Sequence, residues 1–242
     1  MPYDKLLRSG IRVSSTRTEH AEPLEELQRL CFPTLDDRER FKASHYLKHI
    51  ELFPEGQFVA LDGEKVVGMT STIRLDFDFE HTGHRFADII EGGWLTSHEP
   101  AGSWLYGADI GTHPDYRRRG IARGLYAARH DTVRRLSLEG QVTVGMLRGY
   151  GALKSEMSPQ VYYDSLLRGE RSDPTISAQL RIGFEPRGLL PDYLNDPVCD
   201  NYGVLLVLPA GKEVTASRAE RARPGGSGGA EGAEPRESGG PP

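Results

Sequence analysis

The stretch from Ala108 to Ala122 constrains this chain more than any other, because it reads as a strand that breaks into a loop and then opens a helix. Upstream, Trp104 to Thr112 alternates, with Leu105, Gly107, Asp109 and Gly111 on one face and Trp104, Tyr106, Ala108 and Ile110 on the other. Downstream, Ile121, Leu125, Ala128, Thr132 and Leu136 recur at helical spacing, which predicts an amphipathic helix buried on one side. The first turn of such a helix leaves backbone N–H groups without intrahelical partners and carries the positive end of the helix dipole, so the corner suits a phosphate. Gly120 has no Cβ and Ala122 a single methyl, so the main chain from Arg117 to Ala122 can lie close to a pyrophosphate. Arg117, Arg118 and Arg119 add positive charge around it. A solvated charged turn is the bland alternative for these arginines, and the flanking strand and helix favour phosphate contact over it, mainly through the backbone.

The 242 residues suffice for one folded domain, and their 37% hydrophobic content is modest because the C-terminal end has almost no large apolar residues. A formal charge of −5 argues against nucleic acid or an anionic membrane as the main partner. Cys31 and Cys199 form neither a disulfide framework nor a metal set and are expected as buried free thiols of a reducing cytoplasm. His45 and His49 stand four apart without a third ligand, so a surface pair is expected and no metal. Neither a signal peptide nor an apolar run long enough to span a membrane is visible, which points to a cytoplasmic chain.

Residues 1–10 read as a loose lead-in, 11–210 as the folded domain and 211–242 as a disordered Gly/Pro-rich tail. Helices are predicted over Glu22 to Leu30 and Asp36 to Leu52, and strands over Gln57 to Leu61 and Lys65 to Leu75, joined at Asp62-Gly63. Asp76 to Pro100 has little period and reads as a partly ordered excursion over the active-site face. Gln141 to Leu147 suits a strand, Pro159 to Arg168 a helix, and Asp173-Pro174 starts a further helix.

The run from His113 to Ala122, with its Arg-x-x-Gly-x-Ala order, resembles the acyl-CoA-binding motif of the GNAT N-acetyltransferase superfamily, and Gly183-Phe184 resembles the pair that opens a later strand of that family. The likeness covers roughly residues 11 to 208. Segments around Cys31-Phe32-Pro33, Glu55 to Ala60 and Leu189 to Leu194 resemble a subgroup found fused to nitrilase-like hydrolases. The resemblance implies an α/β (α+β) fold with a central mixed, mostly antiparallel sheet of six to seven strands, whose fourth and fifth strands splay around acyl-CoA. It implies acetyl-CoA as acyl donor, a primary amine as acceptor and direct attack without a metal. Ile110, Gly111 and Thr112 would pair with the pantetheine arm, and Arg117, Arg118, Arg119, Gly120, Ile121 and Ala122 would hold the pyrophosphate.

Asp109 either meets a buried partner or faces substrate, where it would orient the amine or relay its proton. Glu91 is a second carboxylate candidate, with an exposed loop position as its alternative. Many relatives carry a tyrosine four residues before the Gly of Gly-Phe as proton donor to the leaving thiolate; Gln179 stands there here, and Tyr150 is the replacement expected from the sequence. Gln179 also motivates a second reading, a CoA-binding sensor or interaction module that has lost turnover. The acceptor is left open, with the acidic excursion hinting at a cationic amine, and so is association into a homodimer.

Overall fold

Short runs rich in valine and leucine pair into one sheet in the computed structural model, which describes residues 2–215. Its strands and helices follow as β1 (Asp4–Leu6), β2 (Arg12–Ser15), α1 (Ala21–Cys31), α2 (Ala43–Leu52), β3 (Phe58–Asp62), β4 (Lys65–Leu75) and α3 (Phe86–Ile90). They continue as β5 (Trp104–Thr112), α4 (Ile121–Arg135), β6 (Gly140–Met146), α5 (Pro159–Leu167), α6 (Ile176–Ile182), β7 (Glu185–Leu190) and β8 (Gly203–Pro209). The eight described strands lie in the order β1-β2-β3-β4-β5-β6-β8-β7. Neighbours are antiparallel except β5 and β6, so the sheet is mixed and mostly antiparallel as expected.

The eighth strand comes from the residues expected to be a loose lead-in. Asp4, Lys5 and Leu6 pair with Ser14, Val13 and Arg12, and Gly10, at φ +83°, turns the chain back. The helix expected from Asp36 begins only at Ala43, because the Asp36 carboxylate accepts the Arg38 amide at 2.9 Å and holds a local turn in place of the helix. The excursion from Asp76 is more ordered than expected. Its Phe86 amide donates to the Tyr193 carbonyl at 2.6 Å, and Phe86, Ile90 and Leu95 are buried. At the other end, residues 211–215 are pinned rather than free: the Arg123 side chain donates to the Thr215 carbonyl at 2.8 Å, and the Thr215 amide to the Ile182 carbonyl at 2.8 Å. The remainder of the expected tail, 216–242, lies outside the described residues.

Ile121, Leu125 and Ala128 of α4 close one face of the sheet against Val13, Ala60 and Val67. On the opposite face Leu24 and Leu27 of α1 and Tyr46 of α2 join Met69 and Ile73 in the main core. Two features then place the site. The parallel pairing of β5 with β6 runs only from Trp104↔Gly140 to Gly107↔Thr143, after which the strands part into a wedge. In β5 the register against β4 jumps from Ser71↔Asp109 to Thr72↔Gly107, which leaves Ala108 as a bulge.

Candidate active site

The bulge corrects the alternation read from the sequence. Leu105 packs with Val133 of α4, and a Cβ on Gly107 would meet the Arg129 guanidinium of the same helix. Beyond Ala108 the faces exchange: Asp109 turns to Tyr46 of α2, and a Cβ on Gly111 would meet Met69 and Cys31. A one-residue slip sends every later side chain to the other face, and here it delivers a carboxylate to the α1–α2 side.

The wedge opens into a cavity of about 470 Å³. Ile110, Gly111 and Thr112 line one wall, Thr175, Ala178 and Ile182 another, and Gly120, Ile121 and Ala122 close the mouth. Arg117, Arg118, Arg123, Arg148 and Arg181 are the charged residues that line it, with no carboxylate among them, so the cavity is built for an anion. Gly120 precedes α4 at φ +82° and brings no side chain to cap the first-turn amides, which leaves them for a ligand. Arg118 is also left-handed, at φ 65°. Arg119 differs from the expectation: its guanidinium stacks on Tyr116, 4.7 Å from the ring centroid, and faces a neighbouring groove of about 950 Å³. That groove shares Arg118, Gly120 and Arg123 with the wedge and adds Lys5, Arg8 and Arg134.

Asp109 is 8% exposed and its carboxylate accepts from the Ser71 amide and from the Tyr46 hydroxyl, the latter at 3.3 Å. Burial raises its pKa to about 6, against the opposing pull of the Ser71 amide and the Arg129 charge. The Cys31 thiol lines the cavity and feels Arg117, Asp109 and Arg148; burial pushes its pKa up to about 12, so it is a thiol and not a thiolate at neutral pH.

Asp109 lies behind Ile110 and Gly111 rather than among the residues that line the cavity, and the other catalytic candidates do not gather here. Glu91 is exposed at the left-handed end of α3 and accepts from the Thr96 hydroxyl. Tyr150 is 3% exposed, packs against Tyr162 and Tyr202, and donates to the Met157 carbonyl at 3.2 Å, so its hydroxyl is committed outside the cavity. His45 and His49 form no surface pair. Both are buried, and His49 Nε2 lies 2.7 Å from the Gly93 carbonyl, because the excursion after α3 covers that side of α2.

Sequence reasoning missed Tyr46, Ser71 and Arg129, the side chains and backbone that surround Asp109. For Arg129 a signal existed: it falls on the apolar stripe of α4, beside Ala128 and one turn beyond Leu125, where a solvated arginine has no place. It is 1% exposed, and its Nη2 donates to the Asp109 carbonyl at the bulge. Among the described residues no group of three or more His, Cys, Asp or Glu is placed to hold a metal ion, and no helix is long and apolar enough to cross a membrane.

Residues 21–145 match the Acetyltransferase (GNAT) family, and the chain belongs to that family. It is 32% identical over 186 residues to the uncharacterized N-acetyltransferase YkwB of Bacillus subtilis (strain 168), covering 76% of this chain and 82% of that protein. It is 37% identical over 171 residues to the probable hydrolase YhcX of the same organism, covering 71% of this chain but only 33% of that longer protein. Among solved structures, the GphF GNAT-like decarboxylase in complex with isobutyryl-CoA superposes with a TM-score of 0.69 at 21% identity, over 82% of this chain and 99% of that one. The loading GNATL domain of CurA from Lyngbya majuscula gives 0.67 at 19% identity, over 83% and 98%. At such identities the likeness is one of fold.

Proposed function

We propose that the chain is an acyl-CoA-dependent N-acyltransferase that moves an acetyl group from acetyl-CoA to a primary amine by direct attack. The observation that carries this reading is the wedge between β5 and β6, with a free strand edge inside and five arginines around a Gly120 corner at its mouth. Such a shape suits a ligand with an extended amide-bearing arm and a diphosphate. The edge of β5 from Ile110 to Thr112 would pair with the arm as an added strand, and the first-turn amides of α4 with Arg117, Arg118 and Arg123 would hold the phosphates. Arg148 and Arg181 stand at the same cavity. The match of this pyrophosphate cradle to the residues at 117–122 is the reason for naming a CoA thioester as donor.

The amine attacks as the free base, and its nitrogen gains a positive charge when the C–N bond forms. Asp109, with a pKa near 6, is a sufficient base to take that proton through a relay, since its carboxylate lies behind the cavity wall. A Cys31 thiol with its pKa near 12 is a poor nucleophile at neutral pH, which favours direct attack over an acyl-cysteine intermediate.

Gly120→Val tests the donor assignment. A β-branched residue at φ +82° costs about 1–2 kcal/mol in strain and puts two methyls where the phosphate would approach. Calorimetry is expected to show acetyl-CoA binding weakened about 10- to 100-fold, and unchanged affinity overturns the assignment. Gln179 supports a second reading, a CoA-binding module without turnover. Thiol release across a panel of amines separates the two, since the module binds acetyl-CoA and liberates no CoA.

A further inference from the structure

At the apex of the wedge, where β5 and β6 stop pairing at Gly107↔Thr143, three polar side chains are buried together. Tyr126 is 2% exposed, Arg129 1% and Gln179 3%. Two glycines make room for them. A Cβ on Gly107 would lie 2.2 Å from Arg129 Nη1, and one on Gly145 would lie 2.2 Å from Gln179 Oε1. Gln179 Nε2 donates to the Tyr126 hydroxyl oxygen at 2.8 Å, and the Arg129 guanidinium sits 5.1 Å from the Tyr126 ring centroid. Gln179 Oε1, Arg129 Nε and Arg129 Nη1 have no partner among the described residues. Buried polar atoms left unpaired are unusual in a merely structural cluster, and this one lies just beneath the wedge cavity without lining it. Ala122 and Ala178 line that cavity; Tyr126 follows one turn further along α4, and Gln179 is the next residue of α6.

We propose that Tyr126 is a catalytic residue, the proton donor to the sulfur that leaves when the amine attacks the thioester, and that Gln179 positions its hydroxyl. The inference rests on the acyltransferase reading and adds to it a group that the sequence did not single out. Gln179 stands where a hydroxyl would otherwise come from α6, and its amide instead fixes a hydroxyl supplied by α4. The balance is simple. The amine nitrogen bonds to the carbonyl carbon, the C–S bond breaks, and its electron pair takes the Tyr126 proton to give a free thiol. The proton lost by nitrogen passes to Asp109 and then to solvent, from which the phenolate is reprotonated. Burial holds the Tyr126 pKa above its ordinary value while Arg129 opposes that shift, so the phenol keeps its proton at neutral pH and a cation stands beside the phenolate formed in turnover.

Tyr126→Phe tests this with two readouts. In turnover with acetyl-CoA and an accepted amine, kcat is expected to fall about 10²-fold with KM for acetyl-CoA nearly unchanged. Adding Gln179→Tyr to that variant returns a hydroxyl from α6 and is expected to restore at least tenfold. In equilibrium binding, which needs no turnover, the parent is expected to hold CoA about fivefold more tightly than desulfo-CoA, and Tyr126→Phe to abolish the difference. The inference alone is overturned if the parent turns over and Tyr126→Phe stays within twofold of it, or if kcat falls while the preference for CoA over desulfo-CoA persists. A parent that binds acetyl-CoA and releases no thiol with any amine overturns the acyltransferase reading, and this inference with it.

Discussion

Replacing Asp173 with alanine is expected to destabilise the protein by about 4 kcal/mol and to lower its melting temperature by about 10 °C. The carboxylate is fully buried and every lone-pair direction is in use. Oδ1 accepts the amides of Thr175 and Ile176 at 2.8 and 2.9 Å, which caps α6. Oδ2 accepts the Gly149 amide at 2.8 Å and the Tyr162 hydroxyl at 3.2 Å, which ties α5 and the end of β6 to the same point. Alanine leaves four donors facing a dry interior, and each buried unsatisfied group costs about 1–3 kcal/mol before relaxation. The loss has a functional consequence, because Pro174, Thr175 and Ala178 form a wall of the wedge and lose their anchor with the cap. Asp173→Asn keeps the two helix-capping bonds, but its NH₂ group accepts from neither remaining donor and can only donate to a rotated Tyr162 hydroxyl, so it should fall midway. Thermal unfolding with acetyl-CoA titration checks the pair; a melting temperature within 2 °C of the parent for the alanine variant would show that water replaces the carboxylate without loss.

How far the sequence was legible follows from what each residue needs. The turn at Asp62-Gly63 and the stripe from Ile121 to Thr132 are local signals, and each appears where its pattern places it. The phosphate corner is also local, since Gly120 and the first turn of α4 follow one another in the chain. Asp109 needed more. Its face is set by the bulge at Ala108, and a bulge depends on how β5 registers with β4, which no window of β5 contains. β1 was hidden for a related reason: its three side chains are exposed, and only its backbone pairing with β2 makes it a strand. Tyr150 follows the end of β6 with no local sign of a partner, yet Tyr162 of α5 packs against it. The polar residues of α2 read as solvent-facing until Gly93 and Trp94 arrive from the far end of the excursion to cover His45 and His49.

Asp109→Asn is expected to cost catalysis about 10³-fold at pH 7.5 and, at the same pH, to make the protein more stable. The two effects share one cause. Burial raises the Asp109 pKa from an ordinary value of 3.8 to about 6, so the folded protein holds a carboxylate that would rather be protonated. The sign follows from linkage. An acid whose folded pKa is raised penalises the fold fully above that pKa, and the penalty fades as pH falls toward the unfolded value. A shift of about 2 units corresponds to about 3 kcal/mol at pH 7.5, vanishing near pH 4. Asparagine escapes this penalty: its oxygen can accept the Ser71 amide, and its NH₂ can donate to the Tyr46 hydroxyl. The variant should therefore melt about 8 °C above the parent at pH 7.5, with the difference closing at pH 4. Activity should follow the same group in the opposite sense. In the parent, kcat/KM rises with pH through a limb near 6 as Asp109 ionises to its basic form, and asparagine removes that limb. An asparagine variant that is less stable at pH 7.5, or that keeps the limb near 6, would show that Asp109 is a neutral structural acid and that the base lies elsewhere. A gain in stability paired with loss of the limb identifies a carboxylate kept ionised against the preference of the fold, because its role in proton transfer needs a base where the core would favour an acid.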